Sequence, residues 1–154
     1  MDREILFRGK VADEPDEWVQ GYLRDADTIF QQTRHKKSKC CDYGFFSVKP
    51  ETVGQYTGLT DKNGTKIFEG DIILSQEFRD KPYAKKYKSK RLVGVVEYYE
   101  LKHNNSIQVY DCGYRVKFIN GEERSFYNNG AWSDFYDCEV IGNIYDNHEL
   151  LEGL

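Results

Sequence analysis

Tyr114-Arg115-Val116-Lys117-Phe118-Ile119-Asn120-Gly121-Glu122-Glu123-Arg124-Ser125-Phe126 is the stretch that decides the fold class. Every second residue from Tyr114 to Phe118 is apolar or aromatic, with Arg115 and Lys117 between them. Side chains alternate across a strand, so this spacing predicts a strand with one buried and one solvated face. Asn120-Gly121 follows, and an Asn-Gly pair supplies the positive φ angles of a tight hairpin turn. Val116–Ile119 then leads in and Glu122–Phe126 leads out. Working outward, residues 4–9, 18–23, 43–49, 71–75, 91–99, 107–119 and 139–145 are short and rich in β-branched and aromatic residues, and read as strands. Further Asn-Gly pairs stand at 63–64 and 129–130. Residues 12–17 and 24–33 are ambiguous. Helix signals are sparse. Asp146 with Glu149 three places later makes a capping pattern, which predicts one short C-terminal helix. The expected core is Ile5, Phe7, Trp18, Tyr22, Leu23, Tyr56, Leu59, Ile72, Leu74, Val95, Val116, Phe118, Val140 and Ile144.

Composition bounds the classes. At 154 residues the chain fits one domain, or one domain with a structured extension, and needs neither disulfide nor metal to fold. Charged residues are 31% with a net charge of −4, which disfavours a globally basic nucleic-acid binder but not a local basic patch. The N-terminus is charged from Asp2 onward and has no apolar segment, so it does not read as a signal peptide. No apolar run is long enough to span a bilayer. Cys40, Cys41, Cys112 and Cys138 form no Cys-x-x-Cys pair and read as free thiols. A cytoplasmic protein with no membrane association is expected.

Charge is unevenly placed. Arg34–Lys39 holds four Lys or Arg and Arg79–Arg91 holds seven, so 11 of the 22 basic residues occupy two short runs. No Lys or Arg follows Arg124. The second run sits in an expected inserted loop, about 77–91. It interleaves Arg79, Lys81, Lys85, Lys86, Lys88, Lys90 and Arg91 with Tyr83 and Tyr87. Cations that contact phosphates and rings that stack on bases make this the candidate nucleic-acid-binding segment. The plain alternative is a solvated loop offsetting an acidic surface.

Three blocks carry a family resemblance. The chain opens Arg3-Glu4-Ile5-Leu6-Phe7-Arg8-Gly9, followed by Trp18-Val19-Gln20-Gly21-Tyr22-Leu23. Its middle reads Pro50-Glu51-Thr52-Val53-Gly54-Gln55-Tyr56-Thr57-Gly58-Leu59-Thr60-Asp61-Lys62-Asn63-Gly64, then Ile67-Phe68-Glu69-Gly70-Asp71-Ile72-Ile73. Its end reads Glu139-Val140-Ile141-Gly142-Asn143-Ile144-Tyr145-Asp146-Asn147-His148-Glu149-Leu150-Leu151. In that order and over nearly the whole chain, these resemble the YopX family of bacteriophage and prophage proteins. The resemblance implies a mainly β protein with an SH3-like, partly open barrel in its C-terminal part, encoded by a phage or prophage in a bacterial host cell. It implies no activity. His148 stands where relatives commonly carry Pro, a residue suited to a first helical turn. The basic insert lies where the family varies in length.

The remaining chemistry is thin. Glu69 and Asp71, two apart on a strand, would share a face and could hold a metal. The preferred reading is structural: Gly70 makes a turn or bulge and the acids flank it in solvent. Thr57–Gly64 lacks the phosphate-loop order and reads as turn chemistry. His35, His103 and His148 are scattered. Cys112 and Cys138 read as small buried hydrophobes. Lysines beside Cys40 and Cys41 make one of these the more reactive thiol, though a plain structural role is the preferred reading.

The expected organisation is an N-terminal β segment over 1–58 packing on a barrel core over 59–154. The expected function is a non-enzymatic binding module with no catalytic residue, metal or cofactor, binding nucleic acid through the basic loop. A module acting on a host protein is the alternative, and a metal-dependent enzyme using Glu69 and Asp71 the third reading. Sheet edges and aromatic content also allow a homo-oligomer.

Overall fold

The computed structural model describes residues 4–14, 16–34, 41–76, 91–102, 109–125 and 138–152, and among the described residues it holds eleven strands and two short 3-10 turns. The chain divides into two compact units, Met1–Gly58 and Leu59–Leu154.

The first unit holds β1 (Phe7–Lys10), β2 (Trp18–Asp25), β3 (Thr28–Arg34) and β4 (Cys41–Ser47), then a 3-10 turn at Pro50–Thr52 and most of β5 (Gly54–Thr60). The hydrogen-bonding order is β4-β3-β2-β1-β5. The β1–β2, β2–β3, β3–β4 and β1–β5 pairs are antiparallel. One face of this sheet closes over Val19, Ile29 and Val48, with Phe7, Val11, Leu23, Phe46 and Val53 against them. Gly21 belongs to that face for a steric reason. A Cβ there would stand 2.1 Å from the Phe30 carbonyl oxygen. The 3-10 turn is tied down by Thr52, which is buried. Its hydroxyl donates to the Lys49 carbonyl at 2.7 Å and accepts the Lys10 N–H at 2.9 Å.

The second unit holds β6 (Lys66–Phe68), β7 (Asp71–Gln76), β8 (Arg91–Lys102), β9 (Val109–Phe118), β10 (Glu123–Ser125) and β11 (Glu139–Asn143). Five of these make an antiparallel sheet in the order β10-β9-β8-β7-β11, and β6 neighbours β5 in the other sheet order. No closed barrel forms among the described residues. Its core gathers Ile67, Ile73, Leu92, Val96, Tyr114, Val116, Phe118 and Cys138, with Leu59 and Val140 packed on it. The alternation at 114–118 is realised: Tyr114, Val116 and Phe118 are buried, while Lys117 is exposed and Arg115 half-buried.

Two turns share one design. The Phe118 N–H donates to the Glu122 carbonyl at 2.8 Å, and the Gly121 N–H to the Phe118 carbonyl at 2.9 Å, with Gly121 at φ +87°. At 61–65, the Asp61 N–H donates to the Thr65 carbonyl and the Gly64 N–H to the Asp61 carbonyl, with Gly64 at φ +82°. Both are three-residue hairpin loops with glycine in the left-handed position. The third Asn-Gly pair, at 129–130, lies outside the described residues.

Several expectations are corrected. Residues 24–33 contain the β2–β3 hairpin, and 54–60 is a strand. The C-terminal helix is a single 3-10 turn at His148–Leu151, with Asn147 rather than Asp146 at the N-cap position and no side-chain capping hydrogen bond. Asp146 accepts instead from the Asn143 side chain at 2.9 Å. Ile5 and Tyr22 are exposed rather than core, and Cys112 is exposed while Cys138 is buried. Among the described residues, no helix is long and apolar enough to cross a membrane.

Candidate functional site

The carboxylates come first, because chemistry would need them. Glu69 lies in the turn before β7, Gly70 takes φ +82°, and Asp71 opens the strand. The left-handed residue between them breaks the alternation, so the two acids do not share a strand face. Asp71 is fully buried rather than in solvent, and its Oδ2 accepts the Phe68 N–H at 2.7 Å. It closes the turn from within. Among the described residues, no three His, Cys, Asp or Glu side chains group as metal ligands.

Asp61 is the second buried acid. Its Oδ1 accepts the N–H groups of Asn63 and Thr65, both at 2.8 Å, and its Oδ2 accepts the Val140 N–H at 3.0 Å. Burial pushes this carboxyl up, but the backbone donors at Val140, Thr65 and Asn63 outweigh it and hold the group below the usual carboxylate range. Beside it, Lys62 Nζ stands 2.6 Å from Glu139. The Thr60–Gly64 block is therefore a clamp on β11.

The basic run chosen from sequence falls almost entirely outside the described residues. Arg79, Lys81, Tyr83, Lys85, Lys86, Tyr87, Lys88 and Lys90 lie there. Arg91 opens β8, exposed and paired with Gln76. Of the other run, Arg34 ends β3, and residues 35–40 lie outside.

What the structure assembles is the outer face of the first sheet. Paired residues in an antiparallel ladder share a face. Tyr22 pairs with Phe30, and Phe30 with Phe45, so three rings on three adjacent strands form one row. Tyr43 lies beside the row on β4, paired with Gln32. Further along, Arg8 pairs with Gln20 and Lys10 with Trp18. The rings touch: Phe30 and Tyr43 stack at 5.8 Å between centroids, and Phe30 and Phe45 lie tilted at 5.2 Å. Even so, Tyr22 is 55% exposed, Tyr43 63% and Phe45 62%. Water-facing aromatic rings in a contiguous group mark an interaction surface.

Cations are threaded through this face. The Arg24 guanidinium lies 5.2 Å from the Phe45 ring centre. Arg8 and Lys10 stand 5.0 and 5.8 Å from the centre of the Trp18 ring. A ring's electron-rich face attracts a cation without neutralising its charge. In the second unit, Glu97 and Glu123 both hold Arg115, at 2.7 and 2.5 Å. Asp25 and Asp27 stand at or beside the β2–β3 turn, and Asp25 lies 3.8 Å from Arg24. The face thus combines planar apolar groups with cations, the pairing that unpaired bases and their phosphates require.

Sequence reading missed this face because its residues look like core. Trp18-Val19, Tyr22-Leu23, Ile29-Phe30 and Phe45-Phe46 are apolar doublets, which conceal a period of two. The signal that could have found it is a row of aromatics on consecutive strands in excess of what one sheet face can bury.

Comparison with known proteins follows from this geometry. The chain is similar to a solved structure described as the crystal structure of protein EF1440 from Enterococcus faecalis. The two are 23% identical, with 97% of this chain and 99% of that one covered and a TM-score of 0.48. A search of curated proteins finds no match. The family described as YopX protein matches residues 7–152, through both units, and the chain belongs to the YopX family.

Proposed function

We propose that this protein is a non-catalytic module that binds single-stranded nucleic acid on the outer face of its N-terminal sheet. The observation that carries the reading is the exposed Tyr22, Tyr43 and Phe45 ring cluster with Arg8, Lys10 and Arg24 on the same face. Bases stack on rings only when they are unpaired, so a duplex gains little from such a surface. The basic runs add to it. Residues 35–40 join β3 to β4, the strands that carry Phe30, Tyr43 and Phe45, and Lys36, Lys37 and Lys39 belong to that connection. The 79–91 run, with Arg79, Lys81, Lys85, Lys86, Lys88, Lys90 and Arg91 and with Tyr83 and Tyr87 among them, belongs to the second unit, and its composition alone suits it to phosphate contacts. We keep an SH3-like, partly open barrel as the reading of residues 59–154, and a phage or prophage accessory protein of the bacterial cytoplasm as the setting.

Fluorescence anisotropy against labelled single and double strands tests the proposal. The single strand is expected to bind at least tenfold more tightly than a duplex of the same length. Tyr43→Ala with Phe45→Ala should weaken it by about tenfold or more, since each stacked base is worth roughly 1–3 kcal/mol. Both rings are exposed, so the melting temperature should stay within about 3 °C of wild type. Absence of single-strand binding at low salt would sink the reading. Retention of one host protein by the same face, lost in the double variant, would then favour the protein-interaction alternative.

A further inference from the structure

We infer that Gln20 and Gln32 read the bases that the ring row holds, which makes this face base-selective rather than a uniform stacking surface. The inference rests on the single-strand reading and adds its substrate preference.

The strand register places the two amides. Tyr22 and Phe30 are paired, and Gln20 and Gln32 each lie two residues along from a ring on its own strand, toward the same end of the sheet. Two residues along a strand is about 6.7 Å and returns to the same face. Gln20 is paired with Arg8 and Gln32 with Tyr43. Two rows therefore run side by side across the sheet. One is Tyr22, Phe30 and Phe45. The other is Arg8, Gln20, Gln32 and Tyr43. Neither row contains an acid, and both glutamines are exposed.

Base chemistry explains why amides in that second row matter. A base lying on a ring presents its edge sideways, in the plane of the stack. A Gln carboxamide offers both a donor and an acceptor, so it can match the paired donor and acceptor on a base edge. An Arg or Lys there would favour acceptor-rich edges and phosphates alike. A neutral amide adds no net attraction to phosphate. Its contribution is the difference between one base and another. The charge on Arg8 and Arg24, at opposite ends of the rows, serves the backbone.

The test separates this inference from the reading beneath it. Anisotropy is measured for the full chain with oligo-dA, oligo-dC and oligo-dT of equal length, in wild type and in a Gln20→Met, Gln32→Met variant. Met keeps the length and removes the hydrogen-bonding groups. Wild type is expected to prefer one base by at least about fivefold, the lower end of what one bidentate amide contact discriminates. The variant should bring the three affinities within about twofold of one another and leave the salt slope unchanged. Equal wild-type affinity for all three strands overturns the inference and leaves single-strand binding standing. A preference that survives in the variant overturns it too. Binding to none of them, with a dimer in solution that Phe45→Ser dissociates, removes both claims.

Discussion

Asp61 satisfies three backbone N–H groups with two oxygens, and one of the three is 79 residues away in sequence. Removing the carboxylate strands those donors in a site where Asp61 itself is 6% exposed. Hydrogen bonds to a charged group are individually strong, and orphaned buried donors add to the loss. Asp61→Ala is therefore expected to cost about 3 kcal/mol in chemical denaturation. The same bonds hold the folded-state pKa below the unfolded value of about 3.9. The carboxylate's contribution is complete above pH ~4 and is lost as pH falls through the folded value. Stability measured from pH 6 down to pH 2 should fall less steeply for Asp61→Asn than for wild type. Equal slopes would show that the carboxylate is not the group responsible. At this scale the sequence is half legible. Asp61-Lys62-Asn63-Gly64 announces a turn through its own composition. Nothing local announces the reach to Val140, because that partner is defined only once β11 is in place.

At the scale of elements, legibility tracks which face a strand turns to water. Tyr114–Phe118 is plain to read because its outer residues are Arg115 and Lys117. β3 is not, because Phe30 points outward beside the inward Ile29, and the alternation between apolar and polar vanishes. Trp18 and Tyr22 look like core for the same reason. A sheet whose outer face has a task breaks the local rule that would have revealed it. β5 was hidden differently: Gly54 and Gly58 lower its apparent strand propensity. Pairing across β2 and β3 also makes one steric demand. At Gly21 any side chain meets backbone at the Phe30 carbonyl, which cannot swing aside like a rotamer. Gly21→Ala should destabilise by about 1–3 kcal/mol, as overpacking does, read from the denaturant midpoint. An unchanged midpoint would mean that β2 and β3 sit further apart than the structure places them.

For the whole molecule, the net charge of −4 and a polyanionic ligand pull in opposite directions. Local cations must decide the matter, and they can be counted by salt dependence. Each phosphate neutralised on a single strand contributes about −0.7 to the slope of log affinity against log salt. Arg8, Lys10 and Arg24 alone give a slope near −2. That value would assign the electrostatics to the sheet face. A markedly steeper slope would bring in the basic runs, and Lys85, Lys86 and Lys88 changed together to Ala would then flatten it by about 2. The basic runs were visible from sequence because charge clusters by simple proximity along the chain. The sheet face was not, since its residues come from four strands between positions 8 and 45 and meet only through register.

The bond from Asp61 to Val140 also bears on how the second unit comes together in time. β7 and β8, and β8 and β9, pair between segments that follow one another along the chain. β11 must return to the edge beside β7 across more than sixty residues, and the entropy of closing that loop is met before its contacts are gained. A strand placed last is not yet formed in the rate-limiting step. Interactions made after that step govern how long the native state lasts rather than how fast it is reached. Asp61 is thus expected to act as a latch fastened late, so that Asp61→Asn should speed unfolding far more than it slows folding.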